Sequence, residues 1–374
     1  MAAPRVKTAP AKVSNSGVRG WIALTCVAAL SWLVPIPAWV VDEFYSRDFY
    51  PWLQGWVTAL SNLIPIAVLD AIIVLTMALV LVRAALLGRT LWRWGTRRAG
   101  IEAGQRVVRA VAVVVLLFVG MWGCNYRRIP LTDDLRGGAA TITPESLRQV
   151  IADANRVAVR VRSTNADAAA LEYASLAANL RAPMNTALLE LNRPVLGRAG
   201  RPKVSTLLTP FFTWAGINGM VDPFALESIV HPGLMPYERA FVLAHEWGHL
   251  AGLADEAEAS AVGWLACMNA GPEFVYSASL YLILEAGGSL APEARGAAYS
   301  ALDAGVRADL AGIARRMTQQ KPQVERAASQ VYDTYLKANR VADGSASYSR
   351  ALSLILSPSL HDALRNYRGG KSRP

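Results

Sequence analysis

The chain has 374 residues, of which 53% are hydrophobic, and its mean hydropathy of +0.25 is high for a purely soluble protein. Its formal charge of +10 is unevenly distributed: residues 1–125 hold 12 Lys and Arg against 5 Asp and Glu, whereas residues 126–374 hold 26 against 23. The basic excess belongs mainly to the apolar N-terminal third, which argues against nucleic acid as a partner. Three widely separated cysteines (Cys26, Cys124 and Cys267) predict neither a disulfide framework nor a zinc knuckle.

Three apolar runs in the N-terminal third predict transmembrane helices. Residues 20–41 carry no charge, residues 63–82 carry only Asp70, and residues 110–123 extend to about 107–124 with their apolar flanks. Each run is close to the roughly 20 residues that a helix needs to cross a bilayer. A carboxylate in such a span is costly without a partner, so we expect Asp70 to hydrogen-bond to a neighbouring helix, and a catalytic role is the alternative.

Basic residues beside these runs predict the orientation. Residues 1–19 carry four basic side chains and no acidic one, and residues 83–109 carry seven arginines and one glutamate. Residues 42–50 carry three acidic side chains and one arginine. Because Lys and Arg stay on the cytoplasmic side, the N-terminus is predicted inside, the loop 42–62 outside, and everything after about residue 125 outside. A cleaved signal peptide is the alternative for the first run, but the run is long and no clear cleavage site follows it.

The C-terminal two thirds reads as one mainly helical domain. Thr143-Pro144-Glu145 predicts a capped helix to about residue 163, and Asn165 a second helix that ends near Arg181. A loop at 193–203 and a β-hairpin within 214–233, around the Asp222-Pro223 turn, come next. Helices are predicted from Pro236 to about residue 356, with breaks at glycine and proline.

The predicted organisation has four parts. They are a cytoplasmic N-terminus (1–19), a three-helix transmembrane region (20–125), an extracytoplasmic domain (126–366) and a disordered tail (367–374). The predicted fold class is mainly α, with three N-terminal transmembrane helices followed by a predominantly helical domain that contains a short β-hairpin.

The segment AHEWGHLAG (244–252) carries the strongest chemical signal. It places His245 and His249 one turn apart on one face of a helix, so both imidazoles can reach one ion. Glu246 follows the first histidine directly. This is the arrangement in which two histidines bind zinc and the glutamate is a general base. A chance arrangement on an ordinary helix is the alternative, but the chain has only four histidines.

Zinc in a hydrolase takes a third protein ligand and leaves one position for water. Asp255, Glu256 and Glu258 follow soon after the Gly252 turn. Glu256 and Glu258 diverge by about 200° on a helix, so only one of them can face the ion. Spacing alone does not choose among the three.

Several segments together resemble one family, the bacterial three-pass membrane family catalogued as domain of unknown function 3810. One segment is the helix that carries His245 and His249. The others are MWGCNYRRIPL (121–131), GINGMVDPF (216–224), DEAEASAVGWLAC (255–267) and YLKANRVADGSASYSRALSL (335–354). The resemblance covers most of the chain in matching order and spacing. It implies a site like that of the zincin metallopeptidases, without an agreed substrate.

The family pattern after the second histidine is Glu-x-Glu-Ala-Asn, and here Ser260 stands in place of the asparagine. Zinc peptidases with a comparable block use its first glutamate as a ligand. The resemblance therefore implies that Glu256 is the third ligand and that Glu258 is a structural acid. The departure at Ser260 puts in doubt a hydrogen bond that supports the ligands.

The function predicted is amide hydrolysis by a membrane-anchored zinc metallopeptidase, with Glu246 as general base. The partners expected are a protein or peptide substrate, which pairs with the edge of the hairpin, and membrane lipid. The developing oxyanion needs a donor besides zinc. We favour Tyr348, because it lies in the family-like segment GSASYS; the other candidates are Tyr332, Tyr335, Arg340 and His231.

Two alternatives have different consequences. An intramembrane protease would carry its metal motif within a span, but the motif helix holds Glu238 and Arg239 and only short apolar runs. A non-proteolytic membrane module would use zinc for structure or binding. The intact Glu246 argues against this second alternative, because a purely structural site needs no base.

Overall fold

The computed structural model describes residues 15–94, 96–135, 138–164, 172–341, 350–358 and 360. This part of the chain is mainly helical and contains one two-stranded antiparallel sheet, as the sequence predicts. The N-terminal helices are α1 (Asn15–Leu33), α2 (Ala38–Val40), a π-helix (Val41–Phe49), α3 (Tyr50–Leu63), α4 (Val68–Trp94) and α5 (Thr96–Met121). A 3-10 helix (Gly123–Arg127), α6 (Leu131–Asp134), α7 (Pro144–Thr164), α8 (Tyr173–Glu190) and α9 (Thr209–Ala215) precede the sheet. Strands β1 (Gly219–Asp222) and β2 (Glu227–Val230) are followed by α10 (Pro236–Leu250), α11 (Glu256–Met268), α12 (Pro272–Gly288), α13 (Pro292–Ser300), α14 (Ala304–Met317), α15 (Pro322–Ala338) and α16 (Arg350–Ile355).

The chain divides into two compact units. The first comprises Met1–Pro35 and Thr76–Gly120, and the second comprises Ile36–Leu75 and Met121–Pro374. Residues 36–75, which the sequence division places in the transmembrane region, therefore belong to the same compact unit as the C-terminal two thirds.

Two helices are long and apolar enough to cross a membrane, over Val68–Arg89 and Ala103–Met121. Gly20–Leu33 and Ala38–Leu63 meet the same criterion only when they are taken together as one bent pair. The described part of the chain thus has two candidate spans, or three if the pair is one span. The side chains of α4 within Val68–Arg89 are not buried, as expected of a helix in contact with lipid.

The first apolar run is not the single helix that we predicted over 20–41. Helix α1 ends at Leu33, because Pro35 and Pro37 each lack a backbone donor and disfavour helical geometry in the residue before them. Residues 42–62, which we predicted to form a loop, are helical, since helix runs without interruption from Ala38 to Leu63. We call Ala38–Leu63 the tryptophan helix.

Helices α7 and α8 differ in how well the sequence predicts them. Helix α7 begins at Pro144, as predicted. Asn165 lies outside the described residues, and α8 continues past the predicted end at Arg181 as far as Glu190. It includes Pro183, whose missing hydrogen bond is offset by burial of the face that carries Leu180 and Met184. The predicted disordered tail, 367–374, lies outside the described residues.

The hairpin forms where the sequence predicts it. Gly219 pairs with Val230 and Asp222 with Glu227, and the Asp222 carboxylate accepts hydrogen bonds from the backbone N–H groups of the turn that follows. The second edge of β2 pairs in parallel with Lys203. Within the described chain, β1 therefore has an edge that no other strand covers.

Helix α11 lies at the centre of the second unit. Every residue from Glu256 to Met268 is buried, and the helix packs against α8, α10, α12 and α16. Cys267 on this helix is a buried free thiol, and Cys26 and Cys124 are free as well, as expected without a disulfide framework. Carboxylates at the start of so buried a helix need specific partners inside the protein.

Candidate metal site

The histidine helix, α10 (Pro236–Leu250), has defined ends. Pro236 occupies its first turn, and the Glu238 carboxylate accepts a hydrogen bond from the Met235 N–H at 2.8 Å. At the other end Gly252 adopts a φ of +89°, and its N–H donates to the His249 carbonyl at 2.8 Å. Glycine suits this position because other residues are strained there. The turn reverses the chain and brings α11 against α10.

Two further glycines allow α10 and α11 to approach closely. A Cβ on Gly248 would lie 2.9 Å from the Ala259 carbonyl oxygen, and one on Gly263 would lie 2.9 Å from the backbone nitrogen of His245. Neither backbone could accept such a contact. The absence of side chains at these two positions therefore sets the short separation that carries Glu256 to the histidines.

Three atoms that can bind a metal meet where α10 packs against α11. His245 Nε2 lies 3.1 Å from His249 Nε2, and Glu256 Oε2 lies 3.2 Å from each of them. Zinc with bonds of about 2.0–2.1 Å to tetrahedral nitrogen and oxygen ligands separates those ligands by roughly 3.3 Å. The three atoms already have nearly this spacing, and two imidazoles with one carboxylate form a donor set that zinc accepts. The residues therefore fit a metal ion.

Each histidine is oriented through its other ring nitrogen. His249 Nδ1 lies 2.7 Å from the Leu253 carbonyl oxygen, which can only accept, so Nδ1 carries the proton and Nε2 has the free lone pair in the neutral ring. His245 Nδ1 lies 3.1 Å from Ser260 Oγ. Metal-binding histidines ordinarily have such partners. Ser260, the departure from the family pattern, thus supplies the hydrogen bond that its presence put in doubt.

The carboxylate of Glu256 is oriented by Tyr332 of α15. The Tyr332 hydroxyl donates to Oε1, which leaves Oε2 directed at the two histidines. Tyr335, one turn further on, stacks on Tyr332 with ring centroids 5.8 Å apart, and its hydroxyl lies 3.1 Å from that of Tyr126. Two of the oxyanion candidates therefore lie beside Glu256.

Charge in the cluster is concentrated on Glu256. Burial raises its pKa, but the charge of His249 and the hydrogen bonds from both histidines outweigh burial and hold the pKa well below its usual range. Burial lowers the pKa of His249, but the Glu256 carboxylate outweighs it and raises that pKa to about 9. Burial lowers the pKa of His245. The interaction between His249 and Glu256 therefore outweighs the effect of burial on both groups.

Glu246 is buried beside this cluster and has an unsatisfied atom. Its Oε2 has no hydrogen-bond partner within the described chain, which is costly for a buried carboxylate. Burial raises its pKa to about 8, with a further contribution from the charge of Glu256 and an opposing one from His249. A Cβ on Gly219 of β1 would lie 2.5 Å from Glu246 Oε1, so the carboxylate lies directly against that strand.

The other acidic candidates lie elsewhere. Glu258 Oε1 accepts from the Leu131 N–H at 2.6 Å, and its Oε2 lies 4.0 Å from Arg128. Asp255 caps α11 through the Ala257 and Glu258 N–H groups. Both line a cavity of about 260 Å³. Glu256 alone of the three lies with the histidines, on the opposite side of α11 from Glu258.

The remaining candidate residues have separate surroundings. His231 Nε2 lies 2.8 Å from Thr213 Oγ1, and its Nδ1 accepts from the Gly233 N–H. Arg340 lines the cavity on the Glu258 side. Tyr348 lies outside the described residues.

Asp70 has a different partner from the one predicted. In the first turn of α4 it accepts hydrogen bonds from the Ser205 hydroxyl and from the Thr206 N–H, the latter at 2.7 Å. These groups belong to the turn before α9. The expectation of a neighbouring helix is therefore wrong.

Sequence reasoning missed the glycines that shape this site. Glycine is a poor helix former, so a glycine inside a helix signals a close packing contact. This applies to Gly248 inside α10 and to Gly263 inside α11. Gly219 in a strand likewise signals close approach by another group. No sequence pattern marks the Leu253 carbonyl as the partner of His249 Nδ1, since every residue has a backbone carbonyl.

Comparison with known proteins identifies the family. The family model described as "Protein of unknown function (DUF3810)" matches residues 45–356, so the chain belongs to this family, and the resemblance found in the sequence is confirmed. No curated protein and no solved structure matches the chain.

Proposed function

We propose that the protein is a membrane-anchored zinc metallopeptidase with a zincin-like domain. The observation that carries this proposal is the convergence of His245 Nε2, His249 Nε2 and Glu256 Oε2 to 3.1–3.2 Å beside the buried, unsatisfied carboxylate of Glu246. A structural metal site needs the three ligands but has no use for an unpaired carboxylate.

His245, His249 and Glu256 would hold the ion, and Ser260 and the Leu253 carbonyl fix the two imidazole rings. When bound, zinc lowers the pKa of water toward neutrality and polarises a carbonyl oxygen. A nearby positive charge also favours the ionised form of Glu246, opposing the effect of its burial.

Glu246 is the proton carrier in this proposal. Its carboxylate takes a proton from the attacking water as the new C–O bond forms, and delivers it to the amide nitrogen as the C–N bond breaks. Glu246 lies against a face of β1 at Gly219, so a substrate backbone that pairs with the edge of β1 that no other strand covers within the described chain would pass close to this carboxylate. For the oxyanion donor Tyr348 remains our proposal.

We also propose the orientation that the basic residues favour. Helices α4 and α5 give two crossings, and α1, which meets the criterion for a span only together with the segment that follows it, gives the third. The N-terminus (1–19) is then cytoplasmic, and the zincin-like domain (126–366) is extracytoplasmic. We expect a reporter fused after residue 95 to read cytoplasmic and one fused after residue 374 to read extracytoplasmic. A cytoplasmic C-terminus would contradict this orientation.

The test of the enzyme is Glu246→Gln in the full-length, detergent-purified protein. Zinc content is measured by mass spectrometry, and hydrolysis is measured on a mixed peptide library. We expect the wild type to contain zinc and cleave peptides, and Glu246→Gln to keep its zinc and lose cleavage.

Glu258→Gln is the matched control, because it changes a buried glutamate of the same region that bonds to the Leu131 N–H instead. It should keep both zinc and cleavage. A wild type that binds zinc and cleaves nothing in the library would favour the non-proteolytic module. A wild type without zinc would contradict both functions.

A further inference from the structure

The tryptophan helix (Ala38–Leu63) has two unlike faces along Phe49–Leu63. One face is polar and buried, with side chains that are at most 4% exposed. The other is apolar and exposed, with side chains that are 44–78% exposed. The buried face carries Tyr50, Gln54, Thr58 and Ser61, and the exposed face carries Phe49, Trp52, Trp56, Leu60 and Leu63. This is the reverse of a helix on a water-soluble protein, which buries its apolar face.

Hydrogen bonds explain why the polar face is inside. The Tyr50 hydroxyl donates to the Leu250 carbonyl at 3.1 Å, and Thr58 Oγ1 donates to the Leu226 carbonyl at 2.7 Å. Gln54 Nε2 donates to the Arg198 carbonyl at 2.7 Å. The helix is therefore attached to the end of the histidine helix, to the hairpin turn and to the loop between α8 and α9. Because its polar groups are satisfied there, only apolar groups remain for the outer face.

Several features select lipid as the partner of the outer face. From Phe49 to Leu69 the sequence carries no charged residue, whereas a face in contact with water would ordinarily be charged. The helix ends only five positions before Val68, where a candidate span begins. Tryptophan is the side chain most typical of the membrane–water interface, and Trp52 and Trp56 are both in the exposed stripe.

We propose that the tryptophan helix lies in the interface of a lipid bilayer, with the stripe of Phe49, Trp52, Trp56, Leu60 and Leu63 in contact with lipid. The helix is then a platform that holds the second unit against the membrane. Because Tyr50 bonds directly to Leu250, the end of the histidine helix lies about one helix diameter, ~10 Å, from the lipid-facing stripe. If the proposed hydrolysis is correct, its substrate is a peptide segment close to the bilayer. That consequence rests on the proposed function, whereas the lipid contact does not.

Site-specific fluorescence in lipid tests the proposal on the full-length chain. Cys26, Cys124 and Cys267 are replaced by alanine, and one cysteine is introduced as Leu60→Cys and labelled with an environment-sensitive nitrobenzoxadiazole dye. The protein is placed in nanodiscs of phosphatidylcholine and phosphatidylglycerol, with either ordinary or brominated acyl chains. We expect blue-shifted emission that brominated lipid quenches several-fold more strongly than at a control position.

Val331→Cys is the control, because Val331 is also apolar and 71% exposed but lies on α15, a helix that carries Glu325, Arg326, Asp333 and Lys337. Its dye should emit at longer wavelength and escape quenching. Equal quenching at the two positions, or none at Leu60→Cys, would overturn the proposal. A blue shift at Leu60→Cys without quenching would also overturn it, since a second protein copy would then cover the face. If the chain without cysteines does not fold, the buried Cys267 is retained and the same outcomes apply.

Discussion

Two buried polar clusters in the second unit are built in opposite ways. In the first, Lys203 Nζ donates to the carbonyl and hydroxyl of Ser61 and to Glu227 Oε2, at 2.6–2.8 Å, so all three of its donors are used. Glu227 also accepts from the N–H groups of Val68 and Leu69 at the start of α4. Every charge in this cluster has its partners within the protein.

The polar atoms of the second cluster are not all satisfied in this way. This cluster consists of His245, His249, Glu256 and Glu246. His245 Nε2, His249 Nε2 and Glu256 Oε2 lie 3.1–3.2 Å apart, and Glu246 Oε2 has no hydrogen-bond partner among the residues that the structure describes. A satisfied buried network rigidifies a fold, whereas two imidazoles and a carboxylate that converge in this way form a group that could hold a metal ion. Burial and charge alone therefore do not identify a functional site. The informative property is which polar atoms are left without partners by the fold.

Removal of a ligand from the second cluster should have the largest effect. We expect Glu256→Ala to purify with far less than one zinc per chain, because one of three donor atoms is lost. Glu258→Ala should keep most of its zinc, because that carboxylate bonds to the Leu131 N–H on the other side of α11. Zinc is measured by mass spectrometry after mild chelation.

Glu258→Gln is added as a folding control, since the amide oxygen can still accept from Leu131. Zinc loss in Glu258→Ala and Glu258→Gln, with zinc retained in Glu256→Ala, would reverse the assignment of the third ligand.

The first cluster should respond in stability and not in zinc binding. Lys203→Met leaves Glu227 buried without its cation, and removal of one partner from a buried ion pair costs about 3–5 kcal/mol. We expect this loss in the free energy of unfolding, measured by urea denaturation in detergent, with zinc content unchanged per folded chain. The control is Arg148→Met, which breaks an exposed pair with Glu145 and should cost at most about 1 kcal/mol. Equal losses in both variants would remove the distinction between the clusters.

The contrast also explains what the sequence could and could not predict. His245, His249 and the Gly252 turn are local signals, because helical spacing and a left-handed glycine act over a few residues. The Lys203–Glu227 pair depends on Ser61, which is 142 positions from Lys203, and no local pattern indicates such a contact.

The tryptophan helix was missed for a related reason. Acidic residues and prolines favour a loop locally, and the bonds of Thr58 and Gln54 to distant carbonyls override that preference. The spacing of Asp255, Glu256 and Glu258 left the third ligand open. In the structure, the close approach of α11 to α10 brings Glu256, and neither of the other two carboxylates, to the histidines.

The position of Glu246 can be tested separately from metal binding. A Cβ on Gly219 would come within 2.5 Å of Glu246 Oε1, so Gly219→Ala must displace the carboxylate or the strand. A displacement of about 1 Å can cost about 100-fold in rate. We therefore expect Gly219→Ala to cut peptide hydrolysis by about that factor while zinc content stays near one per chain. Undiminished hydrolysis would show that Glu246 has room to move or does not transfer the proton.

The smallest expected effect is at Ser260, which touches the second cluster only through His245. Ser260→Ala removes the partner of His245 Nδ1 but leaves all three donor atoms, and loss of such a partner typically costs about 10–100-fold in metal affinity or activity. We expect a zinc dissociation constant raised by that factor, measured by competition with a chromogenic chelator. Ser260→Asn, which restores the family residue, should recover most of the affinity because its amide can replace the hydroxyl as a hydrogen-bond partner. Ser279→Ala is the control, since that buried hydroxyl donates to the Val275 carbonyl within α12 and should leave zinc affinity unchanged. Equal affinity in Ser260→Ala and wild type would mean that helix packing alone orients His245.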